Sequence, residues 1–474
     1  MIATSAAQDQ LQSLLNDTLE KSAVPGFVSG IWWDGEAFEV AAGTANLNTG
    51  APMTPDTSFL LGSISKVVVT SMLMRFVERG VLTLDDRVID HLPELRLGDR
   101  DTLEILRVRN LVNHSSGIDA ADYAPELGRG ADAVTRYVAL LADKGQLYPL
   151  GRHISYCNPA FIIAGRMLEV LTGDSFDTIL AREIFAPVGM ERSCTSGDAA
   201  ILHRMAIGHI VDPDTNVPRA TRRFMLPYSM APAGSTIITT IADLLRFARV
   251  HLNGGTTPDG DRLISAESVA AMATATIREA EMAGFGVGLG WLLPAYGTTH
   301  VLTHTGGSYG GLSSLLVVPE RRFACAGFGN STTAAAVHEA LQGFVLQEML
   351  GLPPAAGIEA TITEIDPARY AGAYQKLDTR TTIAAGEDGT LIATVSLEYD
   401  DEQRELFREY SGRDEFPPFP IYPVTPSFFV PGAPPEQPVP VNRQPSAGLT
   451  FLDPEADGRF RYMSSGLRIS RRVD

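Results

Sequence analysis

Residues 64–79 read as a helix that cannot face water. Val67, Val68, Met72, Leu73, Phe76 and Val77 cover most of its circumference, and Gly80 closes it. A helix that is apolar nearly all round is stable only when other elements enclose it. The chain has 474 residues to supply that enclosure, enough for two or three domains. At the head of the same helix stands Gly62-Ser63-Ile-Ser-Lys66. Residues three apart on a helix lie one above the other. Ser63 therefore has a lysine beside it, at the helix end that favours a developing anion. An ammonium drawn into an apolar site loses its charge readily, and a neutral lysine can take a serine proton. The competing reading is a serine that only caps the helix.

Composition narrows the function classes. An apolar content of 45% and a charged content of 20% are ordinary for a globular protein. The formal charge of −18 argues against general affinity for nucleic acid or anionic membrane, both of which want basic patches. Cys157, Cys194 and Cys325 are too few for a disulfide framework and suit a reducing compartment. The first ten residues show neither a basic nor an apolar leader region. No apolar run approaches the roughly 18–20 residues of a membrane span. A soluble cytoplasmic protein is expected.

Along the chain, residues 8–24 read as an amphipathic helix, with Leu11, Leu14, Leu15 and Leu19 on one face. Two strands follow, Phe27 to Trp33 and Phe38 to Ala42, joined at Asp34-Gly35. Ile105 to Asn113 reads as a helix capped through His114-Ser-Ser-Gly117. Further helices are expected over Asp132 to Leu141, Pro159 to Leu171 and Ile241 to Leu252, the last capped by Thr239 or Thr240. Gly284 to Leu292, His300 to Leu302, Leu312 to Pro319 and Phe323 to Gly329 read as strands, and Thr332 to Leu350 returns to helix. Strands from both ends with a helical block between them imply an α+β fold: one antiparallel sheet flanked by helices, with an all-helical subdomain. Residues 1–352 are expected to form this unit.

Leu352-Pro-Pro-Ala-Ala-Gly357 reads as a linker. Beyond it, Thr381 to Ala385, Leu391 to Leu397, Glu405 to Tyr410, Leu449 to Leu452 and Phe460 to Met463 read as short strands. Residues 360–474 are therefore expected to form a small all-β domain, barrel or sandwich. Eleven prolines between Pro417 and Pro445 interrupt it. They read as a long extended surface loop, or as an arm reaching the active-site mouth.

Two further motifs carry chemistry. In Ser155-Tyr156-Cys157-Asn158-Pro159, Tyr156 and Asn158 point the same way if the segment is extended, and Cys157 points away into packing. A tyrosine near a lysine can shuttle a proton, and an asparagine beside it can hold a substrate amide or the lysine. Thr303-His304-Thr305-Gly306-Gly307-Ser308 reads as a strand running into glycines. Gly306 and Gly307 allow a second backbone or a substrate to approach closely. A free N–H there would be one half of an oxyanion hole, the Ser63 amide being the other. Each motif alone also fits a bland reading: a buried aromatic with a turn asparagine, or a glycine-rich hairpin. Gly306-Gly-Ser308-Tyr-Gly310 also matches a nucleophile elbow, but that elbow needs a following helix and Leu312 to Pro319 reads as strand. No metal is expected. His203 and His209 are six apart, off one helical face, and no His-Glu-x-x-His occurs.

In order and spacing, Ser63-Ile-Ser-Lys66, Tyr156-Cys-Asn158 and His304-Thr305-Gly306 resemble the three motifs of the serine β-lactamase and penicillin-binding superfamily, in particular its class C and esterase branch. Leu106 to Gly117 is similar to that family's helix-and-glycine signature, and the resemblance spans residues 8–350. Tyr370-Ala-Gly-Ala-Tyr374 looks like the entry strand of the lipocalin-like domain carried by several members. The resemblance implies Ser63 as nucleophile, with Lys66 and Tyr156 sharing the base role. It implies the amides of Ser63 and Gly307 as oxyanion donors, and Asn158, Thr305 and Gly306 along the acyl chain. Tyr156, helped by His304, would return the proton to the leaving group. No cofactor is implied.

One residue departs from the pattern. His304 stands where β-lactamases and transpeptidases carry lysine, and a histidine is only partly protonated near neutrality. A carboxylate clamp would be weakened. The His-Thr-Gly variants resemble esterases, D-aminopeptidases, amidases and penicillin-binding-type thioesterases that cyclise peptides. The expected activity is a serine hydrolase acting on a small-molecule or peptide acyl substrate, with no nucleic acid and no membrane partner. An acyl-transferring cyclase and an inert penicillin-binding or sensor module are the alternatives.

Overall fold

The computed structural model describes residues 4–119, 126–282, 284–362 and 364–474. The first three residues, part of the stretch read for a leader, lie outside it. The fold is α+β with a C-terminal β-barrel. The opening helix α1 (Thr4–Glu20) leads into β1 (Gly26–Trp33) and β2 (Glu36–Asn46), paired antiparallel through Asp34-Gly35. The helical block includes α2 (Ser65–Glu78), α3 (Asn158–Thr172) and α4 (Ile241–Leu252). The chain then returns to the sheet with β3 (Leu292–Tyr296), β4 (Leu302–Ser308), β5 (Gly311–Val318) and β6 (Phe323–Gly329), and α5 (Ala335–Gly343) follows. The spatial order β3-β4-β5-β6-β1-β2 forms the centre of a nine-stranded sheet.

Side chains alternate across the sheet because a strand has a period of two. On β1, Phe27 and Ile31 join α1 and the segment after β6 in one core, while Val28 and Trp32 join α2, α3 and α4 in the other. Both faces of the sheet are thus covered. The α2 helix lies in the second core with Val67, Val68, Val69, Met72 and Leu73 fully buried, as its all-round apolarity requires. Gly30 of β1 is where α4 comes closest: a Cβ there would stand 2.4 Å from Ile241 Cγ2.

The second region is a closed eight-stranded antiparallel barrel: β7 (Gly372–Lys376), β8 (Thr379–Ala385), β9 (Leu391–Leu397), β10 (Phe419–Pro423), β11 (Phe428–Pro431), β12 (Leu449–Pro454), β13 (Phe460–Ser465) and β14 (Arg468–Arg472). Tyr374 pairs with Arg472 to close it. Tyr370, Tyr374, Phe429, Phe451 and Phe460 fill its core.

Several local expectations are corrected. Glu405 to Tyr410 is not a strand but part of helix α6 (Asp401–Ser411). Asp400 and Gln403 form a capping box at its start, and Gly412 ends it in the left-handed conformation. The prolines are not one loop: Phe419–Pro423 and Phe428–Pro431 are barrel strands, and only the later part runs as a strap across the body. Gly284 to Leu292 divides into Phe285–Val287 and Leu292–Tyr296, which pair across a turn holding Gly290 at φ +77°. The helix before His114 is short (Val108–Val112), and His114 itself, at φ +59°, takes the left-handed position expected of a glycine. The last body helix passes into a π-turn at Phe344–Met349.

Thr240 rather than Thr239 caps α4, accepting from the Asp243 N–H. Thr240→Ala is predicted to cost about 1 kcal/mol of stability, read from urea unfolding.

Candidate active site

Ser63 sits in a single 3-10 turn (Gly62–Ile64) that leads directly into α2. Lys66, in the first turn of α2, is fully buried. Its Nζ donates to Ser63 Oγ at 3.1 Å and to the Ala233 carbonyl at 2.5 Å. A buried ammonium without partners is prohibitively costly, so these two oxygens make the position tenable.

Three glycines, Gly62, Gly234 and Gly306, let three backbone segments converge on Ser63. A Cβ on Gly62 would stand 2.6 Å from Gly307 O, one on Gly306 2.1 Å from Leu61 O, and one on Gly234 2.4 Å from Gly62 O. The Ser63 amide nitrogen lies 2.9 Å from the Cβ positions of both Gly234 and Gly306. Ser313 Oγ ties the segments further, donating to Leu61 O at 2.7 Å. The turn that carries Ser63 is therefore held against β4 by main-chain proximity that any side chain would break.

Tyr156 lies in the extended segment before α3, with its ring centroid 4.8 Å from Lys66 Nζ. The His114 ring stacks on that of Tyr156 at 4.3 Å, and His114 Nδ1 accepts from Cys157 N–H at 3.1 Å. Cys157 is buried in the helical core, as its opposite direction implies. His304 projects from β4 with its ring 6.1 Å from that of Tyr156. His304 Nδ1 lies 2.7 Å from the Thr305 carbonyl, which can only accept. Nδ1 therefore carries the hydrogen, and the buried Nε2 presents a lone pair. Burial, with the Lys66 charge adding to it, pushes the His304 pKa down to about 3. The expectation of partial protonation is corrected: His304 is a neutral acceptor at physiological pH.

Two cavities meet at Ser63, Tyr156 and Gly307. The larger, about 560 Å³, also takes in His304 and Thr305 and extends along the outer sheet face past Leu316 and Cys325 to Leu341 and Val345. The smaller, about 60 Å³, holds Asn158 with Met230, Gly234 and Ser235. Ser63, Lys66, Tyr156, His304, Thr305, Gly306 and Gly307 thus converge, and Asn158 faces the same centre from the smaller side.

The sequence reading missed part of the wall. Tyr410 of α6 reaches Gly307: a Cβ there would stand 1.8 Å from the Tyr410 hydroxyl. Arg468 of β14 covers Tyr156, with Cζ 4.9 Å from the ring centroid. Asn442, Arg443 and Pro445 of the proline-rich strap line the larger cavity. Nothing local marks Tyr410 or Arg468, because they arrive from the barrel. Among the described residues no group of three or more His, Cys, Asp or Glu side chains could hold a metal, and no helix is long and apolar enough to cross a membrane.

The depressed His304 pKa has a signed consequence. The unfolded imidazole takes a proton near pH 6.5 and the folded one near 3, so unfolding takes up a proton between them. The His304 contribution is present above about pH 6.5 and is lost as pH falls toward 3. The stability difference between wild type and His304→Gln is predicted to shift by about 2 kcal/mol against wild type between pH 7.5 and 5.0, read from urea unfolding.

The Beta-lactamase family model matches residues 11–347 of this chain. Penicillin-binding protein 4 of Amycolatopsis lactamdurans is 36% identical over 364 residues, which cover 74% of this chain and 93% of that protein. A D-aminopeptidase of Brucella anthropi is 35% identical over 185 residues, 37% of this chain and 34% of that protein. The crystal structure of SurE superposes with a TM-score of 0.78 at 25% identity and covers 99% of both chains, barrel included. With the family model spanning the sheet, the helical block and all three motifs, the chain belongs to the beta-lactamase family.

Proposed function

We propose that this chain is a serine hydrolase that works through an acyl-enzyme on Ser63. The observation that carries the reading is the contact of 3.1 Å between Lys66 Nζ and Ser63 Oγ inside a fully buried site. In its neutral form the Lys66 amine donates to Ala233 O, which turns its lone pair toward the Ser63 hydroxyl. Ser63 Oγ attacks the substrate carbonyl carbon, and its proton passes to Lys66 or Tyr156. The oxyanion forms between the N–H groups of Ser63 and Gly307. Tyr156 delivers a proton to the leaving atom as its bond to the carbonyl carbon breaks. His304 Nε2, a lone-pair acceptor, orients the Tyr156 hydroxyl or the departing group rather than supplying charge. Water then attacks the ester carbonyl and frees Ser63. Asn158 and Thr305 hold the acyl chain, and Gly306 keeps the strand within reach.

The substrate is an ester or amide, with a D-amino acid residue among the acyl groups served; the D-aminopeptidase relative supports that flavour. The larger cavity begins beside Tyr156 and His304, on the leaving-group side, and is walled farther out by the apolar Leu316, Leu341 and Val345 together with the polar Glu339, Gln342 and Arg443. It suits an apolar leaving group, or an apolar amine that intercepts the acyl-enzyme. That room supports acyl transfer to an amine, including peptide cyclisation, as a second reading. An inert sensor is disfavoured because every motif position holds a chemically competent residue.

Intact-mass analysis after incubation with an aryl acetate, a D-alanine anilide, a chromogenic cephalosporin and a peptidyl thioester tests the scheme. At least one should give an adduct or product in wild type and none in Ser63→Ala. Turnover retained in Ser63→Ala would overturn it. Leu341→Phe, which fills the far end of the larger cavity, is predicted to lower kcat/KM about tenfold for substrates with bulky apolar leaving groups while sparing methyl esters.

A further inference from the structure

His153 lies three residues before Tyr156 and is 2% exposed. Its Nδ1 is 3.2 Å from Glu279 Oε2 and its Nε2 is 3.0 Å from Asp453 Oδ2. An ionised carboxylate can only accept, so a ring that meets one at each nitrogen must carry both hydrogens. The ring is an imidazolium between two anions. Glu279 belongs to the catalytic body, and its other oxygen accepts the Ile154 N–H at 2.6 Å. Asp453 belongs to barrel strand β12 and also takes Arg152 at 2.6 Å. Tyr148 and Tyr462 close over the ring edge-on, at 5.4 and 5.2 Å.

The bonds that follow run straight to the site. Ser155 Oγ accepts from Ile469 N–H at 3.1 Å, and Tyr156 N–H donates to Leu467 O at 2.7 Å. Leu467 and Ile469 flank Arg468, the residue over the Tyr156 ring. Segment 152–156 is therefore bound to the barrel along its length, and its charged end is the His153 cluster.

We propose that His153 is a positioning residue: as an imidazolium bridging Glu279 and Asp453, it clamps the barrel to segment 152–156 and so fixes Tyr156 against Lys66 and Ser63. The proposal rests on Tyr156 acting in the reaction described above. It gives the activity an alkaline limit of its own, apart from any set by Tyr156 as proton donor. Burial opposes the proton on His153, but Glu279 and Asp453 outweigh it and hold the pKa above the ordinary value. The other charges facing the cluster are Arg152, which balances Asp453, and Glu281, which acts on Arg152. With the pKa raised, the clamp is closed below about pH 6.5 and is lost as pH rises through the folded-state value.

The test follows the amide hydrogen exchange of Tyr156 and Ile469 against pH in wild type, Asp453→Asn and His153→Gln, corrected for intrinsic exchange, with kcat and KM measured on the same samples. In wild type, protection at both amides should fall as His153 loses its proton, and kcat should fall with it while KM changes little. Asp453→Asn keeps an acceptor for Nε2 but removes its charge. It should retain wild-type kcat at pH 5 and move both the protection loss and the kcat limb about one unit lower in pH. His153→Gln should lose protection and about tenfold in kcat at every pH. Protection that ignores pH in wild type, or an alkaline limb that Asp453→Asn leaves in place, would overturn the proposal. Exchange is read without substrate, so the clamp is decided even if no ester or amide is turned over, an outcome that would count against the hydrolase reading alone.

Discussion

The structure turns on one buried amine. Lys66 has no exposure to water, and Ser63 Oγ and Ala233 O are among the partners of its Nζ in the helical core. A cation or amine in that position is expensive unless its partners are fixed before it arrives. The fixing is done by main chain. Gly62, Gly234 and Gly306 bring three segments together around the turn that carries Ser63, closer than any Cβ would permit. The all-round apolar helix, the two-faced sheet and the glycine contacts are thus one arrangement serving a single polar pair.

The barrel is part of that arrangement. It bonds to the backbone on either side of Tyr156, lays Arg468 over the ring, and sends Tyr410 to the face of Gly307. The proline-rich strap walls the larger cavity at its far side. Two parts of the site that the proposed reaction needs, the phenol ring of Tyr156 and the backbone at Gly307, each have a side chain from beyond residue 400 laid against them. The wall around Ser63 is therefore built in part by a region that carries none of the three motifs. This fits a family in which one acyl-enzyme machinery serves several substrate classes.

What could be read from the sequence follows the range of the interaction. Ser63 and Lys66 were legible because three residues on a helix is a local relation. Tyr156, Asn158, His304 and Gly307 were legible because each lies in a short motif. The sheet and the barrel could be anticipated from period-two runs at both ends of the chain. Tyr410 and Arg468 were not legible, since only folding across hundreds of residues brings them to Ser63. Glu405 to Tyr410 was misread as strand because its helix is marked by the Asp400–Gln403 capping box, outside the run itself. The protonation of His304 was also out of reach: imidazole chemistry alone says partly charged near neutrality, and burial, with Lys66 beside it, makes it neutral.

The account stands or falls on Lys66 activating Ser63. The most direct measurement is the second-order rate of Ser63 labelling by a small fluorophosphonate in wild type and in Lys66→Met, with near-UV circular dichroism checking that the fold is retained. Phosphonylation needs the same loss of the hydroxyl proton but no particular acyl group, so it does not depend on knowing the natural substrate. The account predicts a fall of about 10²–10⁴-fold in Lys66→Met. A folded Lys66→Met protein that labels within a few-fold of wild type would contradict it.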